Sequence, residues 1–341
     1  MKIIATMLLM LCAGFPQLLL AAESDTTKNA IQIENPGAEL WRNVRQRDFP
    51  LPLHSQVESG EANVLINVSG ESWRQYRMLS LIPIAGMAIL VTLVALLLFR
   101  LLRGKIMVTA GRSDKKILRF TRNQRIAHWT TTVLFLVLAL TGLSMLFGRL
   151  LLVPLIGAEG FSYIAVIGKA IHDYLGPLFA VTLIFLFFQF IRGNNFSLKQ
   201  DLRWVISGGG FFGAHASTGR YNPGEKVWFW IAILAGAAIV VSGMVLDFPI
   251  FDQSRATMEF YHVIHSISAV LIIIAAIGHI YLAIFGVDGA YENMATGYCD
   301  SNWAKEHHDL WYQEMLDSGQ LIPQSAEVES ESGASGSKQT A

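Results

Sequence analysis

Five stretches of nearly continuous apolar residues dominate the pattern along the chain: 78–99, 126–148, 170–191, 227–246 and 260–287. A helix rises about 1.5 Å per residue, so roughly 20 residues cross a hydrocarbon core of about 30 Å, and each stretch is predicted to be a membrane-spanning helix. The first lies between Arg77 and Arg100 and carries no charge, and the second lies between Arg125 and Arg149 with His128 as its ionisable group. The third has His172 and Asp173 near its beginning, and the fifth contains His262, His265 and His279. The expected fold class is an all-α polytopic membrane protein.

The segments between the spans set the expected topology. Residues 1–22 have one early lysine, Lys2, then an apolar run ending in Ala21 and Ala22, which reads as a secretory signal peptide. The mixed polar segment 23–77 should then be exported. The loop 100–125 carries Lys105, Arg112, Lys115, Lys116, Arg119, Arg122 and Arg125 against Asp114, and positive charge stays on the cytoplasmic side. The short connection 150–168 has only Glu159 and fits a periplasmic loop, whereas 192–226 carries Arg192, Lys199, Arg203, Arg220 and Lys226 and fits the cytoplasm. The loop 247–259 is acidic on balance and fits the outside. By alternation the tail 288–341 is cytoplasmic although acidic, and beyond Gln324 its Ser, Glu and Gly residues suggest disorder. The protein is expected in a bacterial inner membrane.

Composition narrows the chemistry. Of 341 residues, 52% are hydrophobic and 15% charged, against roughly 25% charged in a soluble domain. The formal net charge is zero, so no basic excess points to nucleic acid. Two cysteines, Cys12 and Cys299, are too few for an iron–sulfur cluster, a cysteine zinc site or a disulfide framework. Cys-x-x-Cys-His is absent, which excludes a covalently attached c-type haem. No G-x-G-x-x-G, Walker or His-Glu-x-x-His pattern occurs.

An ionisable side chain inside a span generally faces the bundle interior and marks function. Alternating topology puts His128 near the cytoplasmic face and His172 near the periplasmic face. On the fifth span, His265 falls near the periplasm and His279 near the cytoplasm, giving two depth-matched pairs, His172 with His265 and His128 with His279. Fourteen residues separate His265 from His279, a rotation within about 40° of whole turns, so both face one seam. His262 lies seventeen residues from His279 and about 100° away from it. Facing imidazoles at two depths suit bis-histidine coordination of two b-type haems, with both axial positions filled so that the irons relay electrons. Gly142, Gly176, Ser266, Ser268 and Ala269 would give the macrocycles room, or reflect ordinary close helix packing. Lone polar contacts or a histidine proton relay, as in a transporter, are the other readings of these residues. Asp173 could orient a ligand or reach interfacial water, with the second role preferred.

These residues resemble the cytochrome b, or gamma, subunit of membrane-bound formate dehydrogenase, within the di-haem hydrogenase-type cytochromes b. The likeness is carried by Arg125-Ile-Ala-His128-Trp129, by Ile171-His172 with Gly176, by Gly219-Arg-Tyr-Asn222-Pro-Gly224-Glu-Lys226, by the His265 to His279 spacing, and by Asn302-Trp303-Ala304-Lys305-Glu306-His307-His308 with Trp311-Tyr312. It covers about residues 120–315, implying a four-helix di-haem core over 126–287 with one additional N-terminal transmembrane helix. The resemblance implies electrons from a molybdenum or tungsten catalytic alpha subunit, passed through an iron–sulfur beta subunit to the outer haem, the inner haem and a quinone. It places the quinone at Asn222, Gly224 and His279. A simple interfacial turn is the competing reading of the Asn222 stretch. His215, Glu225 and Lys226 are possible proton-entry groups or solvated loop residues. His307 and His308 are expected in the headgroup region with the neighbouring aromatic residues. The segment 35–77, outside the resemblance, is expected to touch the periplasmic partners. A membrane hydrogenase cytochrome b is the related alternative.

Overall fold

The computed structural model describes residues 68–209, 217–250 and 253–319. The leader 1–22, most of the segment 23–77, His215 and the end of the tail lie outside the described residues.

Helix α1, Val68–Gln75, continues through the π-helical turn Tyr76–Leu81 into α2, Ile82–Arg103. After strand β1, Lys116–Leu118, come α3, Arg122–Leu151, and α4, Val153–Phe190. A short amphipathic helix α5, Leu198–Ile206, precedes α6, Pro223–Asp247, and α7, Arg255–Tyr281, which ends in a π-helical turn, Leu282–Gly286. The tail forms α8, Ala290–Thr296, strand β2, Tyr298–Asp300, α9, Ser301–His307, and α10, Asp309–Asp317.

Among the described residues, five helices are long and apolar enough to cross a membrane, and together they make a polytopic all-α protein. Polar residues punctuate them where the sequence changes character. Thr121 accepts a hydrogen bond from the Gln124 N–H while the Gln124 side chain accepts from the Thr121 N–H, so a capping box starts α3. Ser254 caps α7 through the Thr257 N–H at 3.2 Å.

The third span differs from expectation. The segment 150–168, expected as a loop, is almost wholly helical: α4 starts at Val153 and is interrupted only at Gly157, where φ is +76°. That left-handed conformation carries little steric penalty for glycine. Around the bundle, Leu140, Val181, Ile184, Leu234 and Val241 are exposed, as lipid-facing side chains should be.

The closely packed core sits at one end of the bundle, in a lobe built from loop and tail together. Strands β1 and β2 pair antiparallel, with Lys116 opposite Asp300, Ile117 opposite Cys299 and Leu118 opposite Tyr298. Val108, Ile117, Cys299, Trp303, Ala304 and Trp311 are buried against one another behind the strands. Gly297 makes the close approach possible: its carbonyl accepts from the N–H groups of Arg119 and Phe120 at 2.9 and 3.0 Å. A Cβ there would lie 2.7 Å from the Phe120 carbonyl oxygen, and φ is +93°.

The lobe also accounts for the acidic tail. Lys105 reaches Asp288 at 2.7 Å, Arg112 pairs with Asp288, Glu292 and Asp300, and Lys116 lies 3.8 Å from Glu292. The basic loop and acidic tail are electrostatic complements on one side of the bundle. The hydrogen bond from Lys105 is the main reason that the Asp288 carboxyl is held below the usual carboxylate range.

Candidate functional site

At the bundle end far from the lobe, His172 of α4 faces His265 of α7, with ring centroids 6.1 Å apart. At the lobe end, His128 of α3 faces His279 of α7 at 6.3 Å. If each imidazole nitrogen sits about 1.1 Å from its ring centre and binds a metal at about 2.0–2.1 Å, two opposed ligands have centroids about 6.3 Å apart. A direct hydrogen bond between the rings would bring the centroids to roughly 5 Å. The observed separations lie close to the first value and are wider than the second.

The hydrogen bonds at the far pair decide which ring nitrogen is available. His265 Nδ1 lies 3.1 Å from the Ile239 carbonyl, an acceptor only, so Nδ1 carries the proton and Nε2 keeps its lone pair. Buried Ser242 Oγ lies 3.1 Å from the same nitrogen and can accept from it, its own proton going to the Ala238 carbonyl at 2.6 Å. His172 Nδ1 lies 2.9 Å from Thr141 Oγ1, whose own proton can go to the Val137 carbonyl at 2.9 Å. Both rings are thus anchored through Nδ1, as the outer partners of metal-ligating histidines anchor theirs.

Glycines let the rings lie against neighbouring helices. A Cβ on Gly142 would stand 3.3 Å from His172 Cε1, and one on Gly243 would stand 3.3 Å from His265 Cε1. Gly142 was recognisable beforehand as a candidate. Gly243, Thr141 and Ser242 were not, because their significance depends on which helix lies opposite. Gly176 instead approaches Asp247, and Ser266 bonds back to the Val263 carbonyl. Asp173 pairs with Lys169 at 2.6 Å in an exposed position, while Thr141 takes the His172 ring nitrogen.

At the lobe end, the Trp228 indole lies parallel to His279, with centroids 4.8 Å apart and planes within 15°. His128 packs edge-on against Trp129. His128 Nδ1 is buried and lacks a hydrogen-bond partner among the described residues. Buried polar atoms of this kind ordinarily find a partner, so this ring is one that a bound group can complete.

Asn222 and Gly224 lie at the start of α6. Asn222 Oδ1 accepts from the Glu225 N–H at 3.0 Å, and Glu225 Oε2 accepts from the Asn222 N–H at 3.0 Å. This capping box uses the carbonyl side of the Asn222 amide. A Cβ on Gly224 would sit 3.2 Å from Asn222 Oδ1 and 3.4 Å from the Trp204 ring.

Three expectations about polar residues change in the structure. Lys226 is not a solvated loop group: its ammonium is buried and bonded to both Asp201 oxygens, at 2.8 and 3.2 Å. Glu225 is bonded by Arg119 as well as by the helix terminus. His308 is fully buried, between Arg119 and the Gly219 carbonyl, rather than in a headgroup layer. Burial, then the neighbouring Arg119 charge, lowers its pKa to about 3, so it is neutral. His307 packs edge-on against Trp303.

The model of prokaryotic cytochrome b561 matches residues 119–297, more than half of the chain, and that stretch contains all four paired histidines. The chain belongs to this family. Within the cytochrome b561 family it is similar to the formate dehydrogenase cytochrome b556(fdo) subunit of Escherichia coli K12, at 32% identity over 204 residues, covering 58% of this chain and 93% of the relative. The nitrate-inducible cytochrome b556(Fdn) subunit of the same strain is 29% identical over 209 residues, covering 59% and 93%. The formate dehydrogenase cytochrome b556 subunit of Haemophilus influenzae is 30% identical over 213 residues, covering 60% and 85%. Helices α1 and α2 lie outside the matched cytochrome b561 stretch.

Proposed function

We propose that the chain is the membrane cytochrome b subunit of a formate dehydrogenase complex and passes electrons from formate oxidation to a quinone. The observation that carries the proposal is the pair of metal-wide imidazole gaps, 6.1 and 6.3 Å between centroids, at two levels of one bundle. The membrane cytochrome family and the formate dehydrogenase relatives support it.

On this reading His172 and His265 hold a periplasmic-side haem b, and His128 and His279 hold a cytoplasmic-side haem b. Bound haem supplies a one-electron iron couple. The chain's own residues would supply two imidazoles to each haem, anchor the His172 and His265 rings through Nδ1 and keep the sites within the bundle. The lobe is the cytoplasmic face, by the positive-inside rule applied to its basic loop. The opposite face receives electrons from an iron–sulfur subunit served by a molybdenum or tungsten subunit that oxidises formate. The quinone stands near Asn222, Gly224 and His279, where the Asn222 amide N–H can donate to a quinone carbonyl oxygen. Two electrons from the bundle and two protons from the cytoplasm convert the quinone to quinol. Electrons entering from outside and protons entering from inside build a membrane potential.

The test is haem content and redox spectroscopy of the intact complex. Two non-covalent b haems per chain, both reduced by formate and reoxidised by quinone, are expected. A protein without haem, or one whose haems formate leaves oxidised, rejects the reading. Co-purification with a nickel–iron catalytic subunit in place of a formate-oxidising one would assign the chain to a membrane hydrogenase.

A further inference from the structure

The loop entering α6 is held by the tail, and the holding residues converge on the Asn222 cap. Thr218 donates its N–H to Asp309 Oδ1 at 2.8 Å and its hydroxyl to the His307 carbonyl at 2.6 Å, and its own carbonyl accepts from the Leu310 N–H at 3.1 Å. His308 Nδ1 lies 2.9 Å from the Gly219 carbonyl, which can only accept, so Nδ1 bears the proton and Nε2 accepts from Arg119 Nη2 at 2.9 Å. The same Arg119 nitrogen lies 3.0 and 3.2 Å from the two Glu225 oxygens. Arg119 is only 2% exposed, its guanidinium packed over the Trp303 ring at 4.7 Å. Glu225 in turn accepts from the backbone N–H of Asn222, and its own backbone N–H donates to the Asn222 side-chain oxygen, so its position also sets that of the Asn222 amide. A chain of contacts thus runs from the tail through His308, Arg119 and Glu225 to Asn222.

We propose that Arg119 and His308 are positioning residues of the quinone site, fixing Glu225 and thereby the direction in which the Asn222 amide presents its N–H to the quinone. The proposal rests on the reading that the quinone meets Asn222. Buried arginine and neutral histidine suit the task. Arg119 grips a carboxylate with its planar guanidinium, and His308 offers one donor and one acceptor on opposite edges. Neither touches the quinone, so each acts through geometry. A small misplacement of a hydrogen-bond donor is enough to lower the rate.

The experiment uses the intact complex carrying H308A, H308Q or E225Q, assayed with formate and decyl-ubiquinone or menadione, whichever the native complex reduces faster. Formate-to-dye electron transfer, which bypasses the quinone site, is measured in parallel with haem content. H308A should lower kcat/KM for the quinone by about tenfold with dye reduction and both haems unchanged. H308Q should recover most of the loss, because an amide can both accept from Arg119 and donate to Gly219. E225Q keeps the acceptor for Asn222 but loses the charge facing Arg119, and should fall between. Native quinone kinetics in H308A, or equal loss of haem in H308A and H308Q, overturns the proposal. N222D separates the two levels. Unchanged kinetics in N222D rejects the quinone placement itself, whereas slowed N222D beside native H308A rejects only the positioning role.

Discussion

Trp73 lies face to face with His262, with ring centroids 5.2 Å apart and planes within 19°. Three histidines occur on α7, and this stack commits His262 to the helix that precedes the family core. His265, almost a full turn further along, is left to face His172. A helix outside the matched cytochrome stretch therefore packs beside a paired histidine.

Replacing either histidine of a pair should remove one haem and spare the other. H172A or H265A is expected to lower the haem content from two to one per chain, losing the periplasmic-side haem. H128A or H279A should lose the other. H262A should retain both. Quantitative haem extraction with redox titration checks this, and loss of haem in H262A with retention in H265A would reverse the assignment.

The glycine contacts make a separate prediction. A Cβ on Gly142 or Gly243 would already press on an imidazole carbon at 3.3 Å. G142A and G243A should be tolerated with a small displacement of the ring. G142V and G243V should reduce occupancy of the His172–His265 site alone, since branched side chains cannot yield within a packed helix contact. Full haem content in both valine variants would show that the rings have room to move.

Asn222 can be divided into its cap and its amide N–H. Asp caps a helix about as well as Asn, whereas Ala costs about 1 kcal/mol. N222D should thus keep stability and both haems while slowing quinol formation, and N222A should do both kinds of damage. Thermal unfolding and steady-state quinone reduction measure the two effects independently.

The lobe should loosen in acid. Unfolded histidine titrates near about 6.5, whereas folded His308 takes a proton only at about 3. Between these values the unfolded chain binds a proton that the native chain does not, so stability falls as pH falls, by up to about 1.4 kcal/mol per pH unit. Asp288, held low by Lys105, adds a loss in the same direction below the ordinary carboxylate range. Hydrogen–deuterium exchange over 298–311, corrected for intrinsic rates, should show protection declining from pH 7 towards pH 5. H308Q should remove most of that slope, and pH-independent protection in the native protein would contradict the burial argument.

The five spans were legible because burial in lipid demands a long apolar run, a property that each segment displays by itself. The pairing of His172 with His265 and of His128 with His279 was legible by counting along those runs, since helical rise and rotation are constant. The loop 150–168 misled because it lacks the charge of a cytoplasmic connection yet has enough apolar residues to extend α4.

What could not be counted was everything contributed by a second segment. Ile239, Ser242 and Thr141 orient ring nitrogens from neighbouring helices, and Trp228 and Trp73 lie against histidines on α7. The acidic tail and basic loop are far apart in sequence, and the pairing of β1 with β2 brings their charges together. Hydropathy and helical periodicity are local and additive, so the chain by itself determined the spans and which histidines could pair. Hydrogen bonds, ring stacking and ion pairing require two distant segments to meet in a defined orientation, and that was decided only by the tertiary structure.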